Sequence, residues 1–326
     1  MGYLRNLLSY QRVCIQCHNS PDADTIASAF GVYRYLTANH VDASIVYGGE
    51  FPIRKMGLKM LVDECAIPME HVSELPECDL LLLVDCQYGQ GNVERFRADE
   101  IAAIDHHVRA MPESGNVLIK SAYQSCATLV WELLCEEGYP VKDDEPLSVA
   151  LLYGLYTDTS CFTDLFTVVD TEMRMALFDE HPLFERLTKA SMTVDELLIV
   201  SDAMLNHRLD PEHHFSIVRA NSCDQPVLGI IGDFMIQVDS VFLSFAYTER
   251  SEGYQISLRT CRDDLPADRI AAYICDGIGN GGGHRKKAGG FIPKNRLTER
   301  YGQMDMADVA AMLLKRFIEE NRVNMT

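Results

Sequence analysis

The sequence lacks any apolar run long enough to cross a membrane as a helix. Such a helix needs about 20 consecutive apolar residues, whereas the apolar stretches at residues 80–84 and 149–156 are far shorter. The N-terminus also lacks the basic-then-apolar order of a secretory signal and the pattern for N-myristoylation. These absences predict a soluble, cytoplasmic protein that does not act at a membrane.

Positive charge is scarce as well. The chain has 29 lysines and arginines against 48 aspartates and glutamates, so its formal net charge is −19. Proteins that bind long duplexes gain affinity mainly by neutralising many phosphates with basic side chains. The charge balance therefore argues against long duplex nucleic acid as a partner. A small anion that reaches bound metal ions is still compatible, because salt screens the diffuse negative field over about 10 Å.

A disulfide framework is missing too. The eleven cysteines are an odd number without regular spacing, and a chain of this length can bury a core without cross-links. We therefore expect reduced thiols that pack as small hydrophobic side chains. Cys14 and Cys17 form a C-x-x-C pair, but on a strand these two positions point to opposite faces and cannot hold one metal together.

The hydrophobic pattern predicts two α/β domains. In the first half, short apolar runs alternate with amphipathic stretches, which is typical of a mainly parallel sheet flanked by helices. The predicted strands there are residues 12–17, 43–47, 80–85 and 101–104. The predicted helices are residues 25–38, 125–137 and 146–157, followed by a mostly helical stretch over 170–200 with a break near Pro182.

A smaller mixed α/β domain is predicted in the second half. Its predicted strands are residues 214–220, 227–231, 241–248 and 255–259. A helix over 267–276, a glycine-rich stretch over 277–290 and a last helix over 306–320 follow. We place the catalytic domain at residues 1–190, a linker at 191–210 and the substrate-binding domain at 211–326, with a cleft between the two domains.

Histidines and aspartates follow three of the predicted strands. They are His18, Asp22 and Asp24 after the first strand, Asp85 at the end of the third, and Asp105, His106 and His107 after the fourth. Because the carboxyl ends of parallel strands meet at one edge of a sheet, these side chains are expected to converge. Asp158, at the end of an apolar helix, is a further candidate.

Together these groups predict a centre with two divalent cations. The charge of about −4 on Asp22, Asp24, Asp85 and Asp158 would be balanced by two such ions, and neutral imidazoles complete the ligands. Oxygen and imidazole donors without thiolates favour manganese, with iron, cobalt or zinc as other options. Each residue alone has a structural alternative: Asp22 or Asp24 as a helix cap, Asp85 as a turn residue, and the two histidines as a surface pair.

These residues resemble the DHH superfamily of phosphoesterases. The run His-x-x-x-Asp-x-Asp at 18–24 is similar to its first motif, and Asp105-His106-His107 is similar to its naming triplet. Asp85 and Asp158 resemble its two isolated aspartates. The resemblance is nearest to the two-domain nanoRNase and phosphoadenosine-phosphate phosphatase type, which includes enzymes acting on linear and cyclic dinucleotides.

The resemblance implies a role for each ligand. One Mn²⁺ would be held by His18, Asp22 and Asp85. The other would be held by Asp24, Asp85, His106 and Asp158, so that Asp85 bridges the two ions. Among the residues assigned to catalysis, Asp105 would orient its neighbours and His107 would face the substrate phosphate. A homodimer is also implied.

The C-terminal part carries the predicted substrate contacts. Gly281-Gly282-Gly283-His284, followed by glycines at 289 and 290, is similar to the signature of the DHHA1 domain. Glycines let backbone N–H groups approach a phosphate, and His284 and Arg285 add charged donors. Arg259 resembles a substrate-contacting arginine. The alternatives are a glycine hairpin with a solvated basic tip and, for Arg259, a surface charge.

The predicted function is a manganese-dependent phosphoesterase that hydrolyses short oligoribonucleotides or dinucleotides, and 3′-phosphoadenosine 5′-phosphate as a further candidate. Two metal ions would activate water for the attack on phosphorus. Two alternatives stay open: an inorganic pyrophosphatase or exopolyphosphatase with the same core, and a non-catalytic protein that senses nucleotides.

Overall fold

The structure is a computed structural model that describes residues 2–50, 52–165, 167–178, 181–189 and 192–322. The chain divides into two units, Met1–Met192 and Thr193–Thr326. Each unit has its own six-stranded sheet.

The sheet of the first unit is entirely parallel. Its strands are β1 (Arg12–Cys17), β2 (Asp42–Tyr47), β3 (Met69–His71), β4 (Leu80–Val84), β5 (Ile101–Asp105) and β6 (Val117–Ile119). They are arranged in the order β3-β2-β1-β4-β5-β6. All five residues of β4 are buried, because other elements cover both faces of the sheet. Cys14 and Cys17 belong to different core clusters on opposite faces.

Helices flank this sheet, as the sequence predicts. They are α1 (Tyr3–Leu7), α2 (Ala23–Ala38), α3 (Met56–Glu64), α4 (Cys126–Glu136), α5 (Glu145–Asp158), α6 (Val168–Leu177) and α7 (Pro182–Lys189). Helix α2 packs against α4 and α5. Gly154 permits the close approach of α5, since a Cβ atom there would lie 3.2 Å from the Cα atom of Asp24. This packing brings the end of α5 towards the start of α2.

The second unit has a mixed sheet. Its strands are β7 (His207–Asp210), β8 (Phe215–Ala220), β9 (Leu243–Glu249), β10 (Gly253–Thr260), β11 (Asn280–Gly283) and β12 (Lys287–Pro293). The order is β11-β12-β10-β9-β8-β7. Strands β8 and β9 are parallel, and the other neighbours are antiparallel. The helices of this unit are α8 (Val194–Leu205), α9 (Gln225–Met235), α10 (Ala267–Cys275), α11 (Lys294–Tyr301) and α12 (Met306–Arg322).

The strand predicted at residues 227–231 is wrong, because these residues lie in α9. Their apolar character is compatible with either a strand or a buried helix. The deciding signals precede the run: the Asp224 side chain accepts a hydrogen bond from the Val227 N–H as an N-cap, and a proline stands in the first turn.

The linker predicted at 191–210 also differs from the structure, which places α8 and β7 there. Thr193 and Glu196 form a capping box that starts α8, and β7 pairs with β8. The helical stretch predicted over 170–200 comprises α6, α7 and the first part of α8, and its residues 179, 180, 190 and 191 lie outside the described part of the chain.

Within the described residues, none of the helices has both the length and the apolar composition required to span a bilayer.

Candidate metal centre

Strands β1, β4 and β5 are neighbours in the parallel sheet, so their carboxyl ends lie side by side. The histidines and aspartates that follow these strands are gathered at this edge, in groups whose possible ligand atoms lie within 4.8 Å of one another. The structure thus brings together the candidate ligands of the first unit. They are His18, Asp22, Asp24, Asp85, Asp105, His106, His107 and Asp158.

The first group consists of His18, Asp22 and Asp85. Nε2 of His18 lies 3.6 Å from Oδ2 of Asp22 and 3.8 Å from Oδ2 of Asp85. The other oxygen of Asp22 caps α2 by accepting hydrogen bonds from the backbone N–H groups of Asp24 and Thr25. Capping and metal binding are therefore compatible, because they use different oxygens of the same carboxylate.

The second group consists of Asp24, His106 and Asp158. Nε2 of His106 lies 3.7 Å from Oδ2 of Asp24 and 3.7 Å from Oδ2 of Asp158. Nδ1 of the same ring is 3.1 Å from the carbonyl oxygen of Tyr123. Since a carbonyl only accepts, Nδ1 carries the proton, and in the neutral ring Nε2 presents its lone pair to the carboxylates. This is the orientation of a metal-binding histidine fixed by a backbone carbonyl.

Asp85 faces both groups, one oxygen to each. Its Oδ1 lies 3.3 Å from Nε2 of His106, whereas its Oδ2 faces His18. The side chain is 3% exposed, and Oδ1 has no hydrogen-bond partner among the described residues. An isolated buried carboxylate oxygen is costly, and a cation bound at this oxygen would remove that cost.

The backbone of Asp85 is unusual for a residue with a side chain. Its φ of +59° lies in the left-handed region, where aspartate is tolerated better than most residues. Its N–H donates to the carbonyl oxygen of Ile104 at 2.9 Å. The chain therefore leaves β4 in a strained conformation that aims the carboxylate into the site.

Asp24 is fully buried at the N-terminus of α4. Its two oxygens accept hydrogen bonds of 2.7 Å from the N–H groups of Cys126 and Ala127, the first two residues of that helix. Ser125 caps the same helix by accepting from the Thr128 N–H. A carboxylate at a helix N-terminus interacts favourably with the helix dipole, so α4 fixes Asp24 in place.

Asp105 orients the two histidines that follow it. Its Oδ1 accepts hydrogen bonds from the backbone N–H groups of His106 and His107 and lies 2.8 Å from Nδ1 of His107. Its Oδ2 accepts from Nε2 of Gln87 at 2.5 Å. Burial alone would raise the pKa of Asp105, but the hydrogen bonds and the positive charge of its neighbours, His107 above all, outweigh it and lower the pKa to about 2.

Gln87 is a site residue that the sequence did not reveal. It is fully buried, and its oxygen accepts from the N–H groups of Ala110 and Met111. It thus ties the segment after the histidines to Asp105. A single glutamine two residues beyond a predicted ligand carries no spacing signal, and its partners lie 18 to 24 positions away.

The donor set contains oxygen and nitrogen but no thiolate. Cys17, Cys86 and Cys126 are buried near the ligands, and each thiol donates to a backbone carbonyl. Burial raises the pKa of Cys17 to about 12 and the pKa values of Cys86 and Cys126 well above the usual range. The thiols therefore stay protonated, and the ligands suit cations that prefer oxygen and imidazole.

The electrostatics of the protein without metal are unfavourable. Burial raises the pKa of Asp24 well above its ordinary value, and the charges of Asp85 and Asp158 raise it further. Burial likewise raises the pKa of Asp85, with Asp22 and Asp105 acting in the same direction. Positive charge at this edge is what the ionised carboxylates require.

These shifts predict that the metal-free protein loses stability as the pH rises. An aspartate whose pKa is higher in the folded than in the unfolded chain stabilises the fold below the unfolded pKa of about 3.9, and this contribution disappears as the pH rises through the folded pKa. We therefore expect the melting temperature in chelator to fall between about pH 5 and pH 7.5, and Mn²⁺ to raise it more at pH 7.5 than at pH 5. Differential scanning calorimetry measures both. A metal-free melting temperature that rises over this interval would contradict the prediction.

The predicted substrate contacts all lie in the second unit. Arg259, near the end of β10, donates through Nε to Asp233 at 2.8 Å and through Nη1 to Ser257 and to the Leu258 carbonyl. Its side chain is 15% exposed. The structure gives Arg259 a role in packing α9 against the sheet, and its contact with substrate stays a prediction.

The glycine-rich segment forms the hairpin of β11 and β12. Gly281, Gly282 and Gly283 lie in β11, and His284 and Arg285 lie in the turn. Arg285 donates to the backbone carbonyl of Asp263 at 2.7 Å. The basic tip is therefore tethered to its own unit. Its contact with a phosphate stays a prediction.

Comparisons of the sequence with known proteins show similarity to phosphoesterase relatives. Residues 12–157, which lie in the first unit, match the family described as "DHH family, N-terminal domain". Cyclic-di-AMP phosphodiesterase GdpP from Geobacillus thermodenitrificans is 26% identical over 92% of this chain and 48% of its own length. The chain thus spans about half of the length of that curated relative.

Solved structures share the fold. An exopolyphosphatase-related protein from Bacteroides fragilis is 19% identical, with a TM-score of 0.77 over 98% of this chain and 97% of that one. RecJ from Thermus thermophilus, solved in complex with Mn²⁺, is 15% identical, with a TM-score of 0.53 over 98% of this chain and 55% of that one. The predicted α/β architecture, a parallel sheet flanked by helices and a second mixed sheet, is confirmed.

Proposed function

We propose that the chain is a manganese-dependent phosphodiesterase of dinucleotides and very short oligoribonucleotides, on the strength of its match to the DHH family over residues 12–157 and of the candidate ligands gathered at the sheet edge. The observation that supports it most strongly is the position of Asp85, whose two oxygens face two separate groups of metal ligands. A bridging carboxylate between two such groups is typical of centres that hydrolyse phosphate esters with two metal ions.

The ligand residues would divide as the two groups suggest. One ion would be held by His18, Asp22 and Asp85, and the other by Asp24, Asp85, His106 and Asp158. When bound, two such cations supply positive charge that lowers the pKa of a water molecule and neutralises charge on a phosphate ester. The buried Oδ1 of Asp85, without a hydrogen-bond partner among the described residues, fits such a group.

His107 is the residue we assign to the phosphate. Its Nδ1 is engaged by Asp105, which fixes the orientation of the ring, and the side chain is 27% exposed, so a ligand can approach it from solvent. Burial would lower the pKa of His107, but the hydrogen bond with Asp105 and the neighbouring carboxylate charges outweigh it and raise the pKa. A protonated His107 can donate to a phosphate oxygen as negative charge builds up there.

The choice of a short substrate has two supports. The net charge of −19 disfavours long phosphate chains, and a relative at 26% identity is named as a cyclic-di-AMP phosphodiesterase. Linear and cyclic dinucleotides are therefore the first candidates, with 3′-phosphoadenosine 5′-phosphate next. We further propose that the second unit is a DHHA1 domain that holds the end of the substrate through its β11–β12 hairpin.

A pair of glycine substitutions tests the role of this hairpin. A Cβ atom on Gly282 would meet no described atom within 4 Å, whereas one on Gly281 would lie 2.5 Å from the Ala271 carbonyl oxygen. We expect Gly282→Ala to keep its melting temperature within about 2 °C and to raise KM about tenfold, because only a ligand needs that space. Gly281→Ala serves as the contrast and should lower the melting temperature. An unchanged KM in Gly282→Ala would contradict a phosphate contact there.

A substrate panel separates this function from its alternatives. The purified chain is incubated with Mn²⁺, and in parallel with chelator, on 5′-phosphorylated diadenylate, cyclic di-AMP, 3′-phosphoadenosine 5′-phosphate and pyrophosphate. The proposal expects metal-dependent hydrolysis of at least one of the dinucleotides with a kcat/KM at least ~10² times that for pyrophosphate. Preferred cleavage of pyrophosphate would favour the alternative of a pyrophosphatase or exopolyphosphatase with the same core. Nucleotide binding without turnover would favour a sensor.

A further inference from the structure

A second polar cavity lies in the second unit, at the carboxyl ends of β8 and β9. These two strands are parallel neighbours joined by α9, and the carboxyl edge of parallel strands is where α/β units bind ligands. The cavity has a volume of about 340 Å³. Its lining comes from residues 219–222 at the end of β8, residues 249–251 at the end of β9, and Lys294 at the start of α11.

The charge of this cavity is opposite to that of the whole chain. Its charged lining residues are three cations, Arg219, Arg250 and Lys294, and one anion, Glu249. Their sum is +2, in a protein whose formal net charge is −19. If the 29 basic and 48 acidic side chains were distributed at random, a patch of this size would on average carry a negative net charge. The positive charge of this cavity therefore points to a binding role.

The contacts of the four side chains leave positive charge available. Glu249 is shared, since Nη2 of Arg219 lies 2.9 Å from one of its oxygens and Nζ of Lys294 lies 2.8 Å from the other. Arg250 donates to the carbonyl oxygen of Cys223 at 2.6 Å and has no carboxylate partner among the described residues. One carboxylate therefore holds two cations in place beside a third that is not neutralised.

We propose that this cavity binds the phosphate group of a small phosphomonoester. A phosphate dianion matches the charge of +2, and its oxygens can accept from the two guanidinium groups, the ammonium group and the hydroxyl groups of Ser222 and Ser251 that line the cavity.

A neighbouring cavity gives room for the organic part of the ester. Its volume is about 460 Å³, and it shares Arg219 and Asn221 with the first cavity. Tyr247, Arg208 and the carboxylates of Asp202 and Asp305 line it as well, so it suits a polar part that carries hydroxyl or amino groups. Together the two spaces have the size of a pocket for a small organic phosphate.

This site is separate from the hairpin to which the substrate phosphate is assigned. Along β10, Gly253 pairs with Pro293 at the cavity end, and Arg259 pairs with Lys287 at the hairpin end. The strand has 8 residues, so the two ends are roughly 23 Å apart at about 3.3 Å per residue. A phosphate bound at the cavity is thus not one held by the hairpin tip, and the proposal is independent of the catalytic one.

The test is a titration of the whole 326-residue chain with inorganic phosphate by isothermal calorimetry, at constant ionic strength and with chelator present so that phosphate cannot bind through a metal ion. We expect saturable binding with a dissociation constant of about 1 mM or tighter. Arg250→Gln should weaken it at least tenfold. Arg316→Gln, which removes an exposed arginine paired with Glu320 on α12, is the matched control and should leave it within twofold.

Glu249→Gln distinguishes a binding site from an ion-pair network that only stabilises the sheet edge. Removal of the negative charge of Glu249 should tighten phosphate binding severalfold if the cavity is a binding site. If the ion pairs only stabilise the sheet edge, the variant should instead have a lower melting temperature and should not bind phosphate more tightly. If Arg250→Gln does not fold, Arg219→Gln takes its place, since that side chain is 63% exposed. The proposal is overturned by absent saturation in the wild-type protein, by binding that the cavity variants do not change, or by weaker binding in Glu249→Gln.

Discussion

Asp85→Asn is expected to abolish turnover and, at the same time, to stabilise the protein when metal is absent. Asparagine has the same shape and also tolerates the left-handed backbone observed at this position, where φ is +59°. It removes the negative charge and replaces one acceptor oxygen by an NH₂ group, which costs little here because Oδ1 has no hydrogen-bond partner among the described residues. The variant therefore separates the electrostatic role of Asp85 from its role in the fold.

The loss of activity follows from the position of the two carboxylate oxygens. One faces His106 and the other faces His18, so under the proposed function a neutral amide could no longer bridge two cations. We expect kcat to fall at least ~10³-fold and the bound metal, measured by atomic absorption, to fall from two ions per chain to one or none. Asp99→Asn, at an exposed position just before β5, is the control and should keep both values.

The gain in stability follows from the burial of the same carboxylate. Burial raises the pKa of Asp85, so at pH 7.5 the metal-free protein must either ionise a buried group or bind a proton at an unfavourable pH. A neutral amide at this position avoids both. In chelator at pH 7.5, Asp85→Asn should melt about 2–4 °C above the wild type, and the difference should be smaller at pH 5. A variant that is inactive and also less stable at pH 7.5 would indicate a structural role instead.

Strand order explains why the sequence could predict that the candidate ligands of the first unit lie together. The apolar runs that become β1, β4 and β5 are short, bounded and almost entirely buried, so their ends are easily recognised. Once these strands are placed in one parallel sheet, the residues after them must share an edge. The parallel arrangement of the strands is therefore enough to place His18, Asp85 and His106 close together, without any information on side-chain contacts.

Side-chain partners distant in sequence could not be predicted in this way. The N–H groups that hold Asp24 belong to Cys126 and Ala127, more than 100 positions away, and Gln87 acts through a buried amide that no spacing marks. The strand wrongly expected at 227–231 shows a related limit. In a short apolar run, the spacing of hydrophobic residues does not distinguish a strand from a helix. The N-cap at Asp224 is the feature that indicates a helix.

Asp24→Asn should have the opposite effect on stability from Asp85→Asn, although both replace a buried carboxylate whose pKa is raised. Both oxygens of Asp24 accept N–H groups at the start of α4, each at 2.7 Å. Asparagine has only one acceptor oxygen, so its NH₂ group would face an N–H donor. One charge-assisted hydrogen bond is lost, at a cost of about 1.5–3 kcal/mol, and a buried N–H loses its partner.

The loss of negative charge in Asp24→Asn relieves repulsion between carboxylates, but this gain in stability does not outweigh the loss of the hydrogen bond. In the metal-free wild type, the Asp24 carboxyl can already escape its neighbours' charges by taking a proton, and a protonated carboxyl still accepts at both oxygens. Replacement by the neutral asparagine therefore adds little stability and removes one hydrogen-bond acceptor.

We expect the melting temperature of Asp24→Asn in chelator to fall roughly 5 °C or more. We also expect a loss of kcat of at least ~10²-fold, because one candidate ligand of the second group is gone. Calorimetry of Asp24→Asn and Asp85→Asn side by side at pH 7.5 checks the contrast. Shifts of the same sign would show that charge alone, and not the hydrogen bonds from α4, determines the stability of this edge.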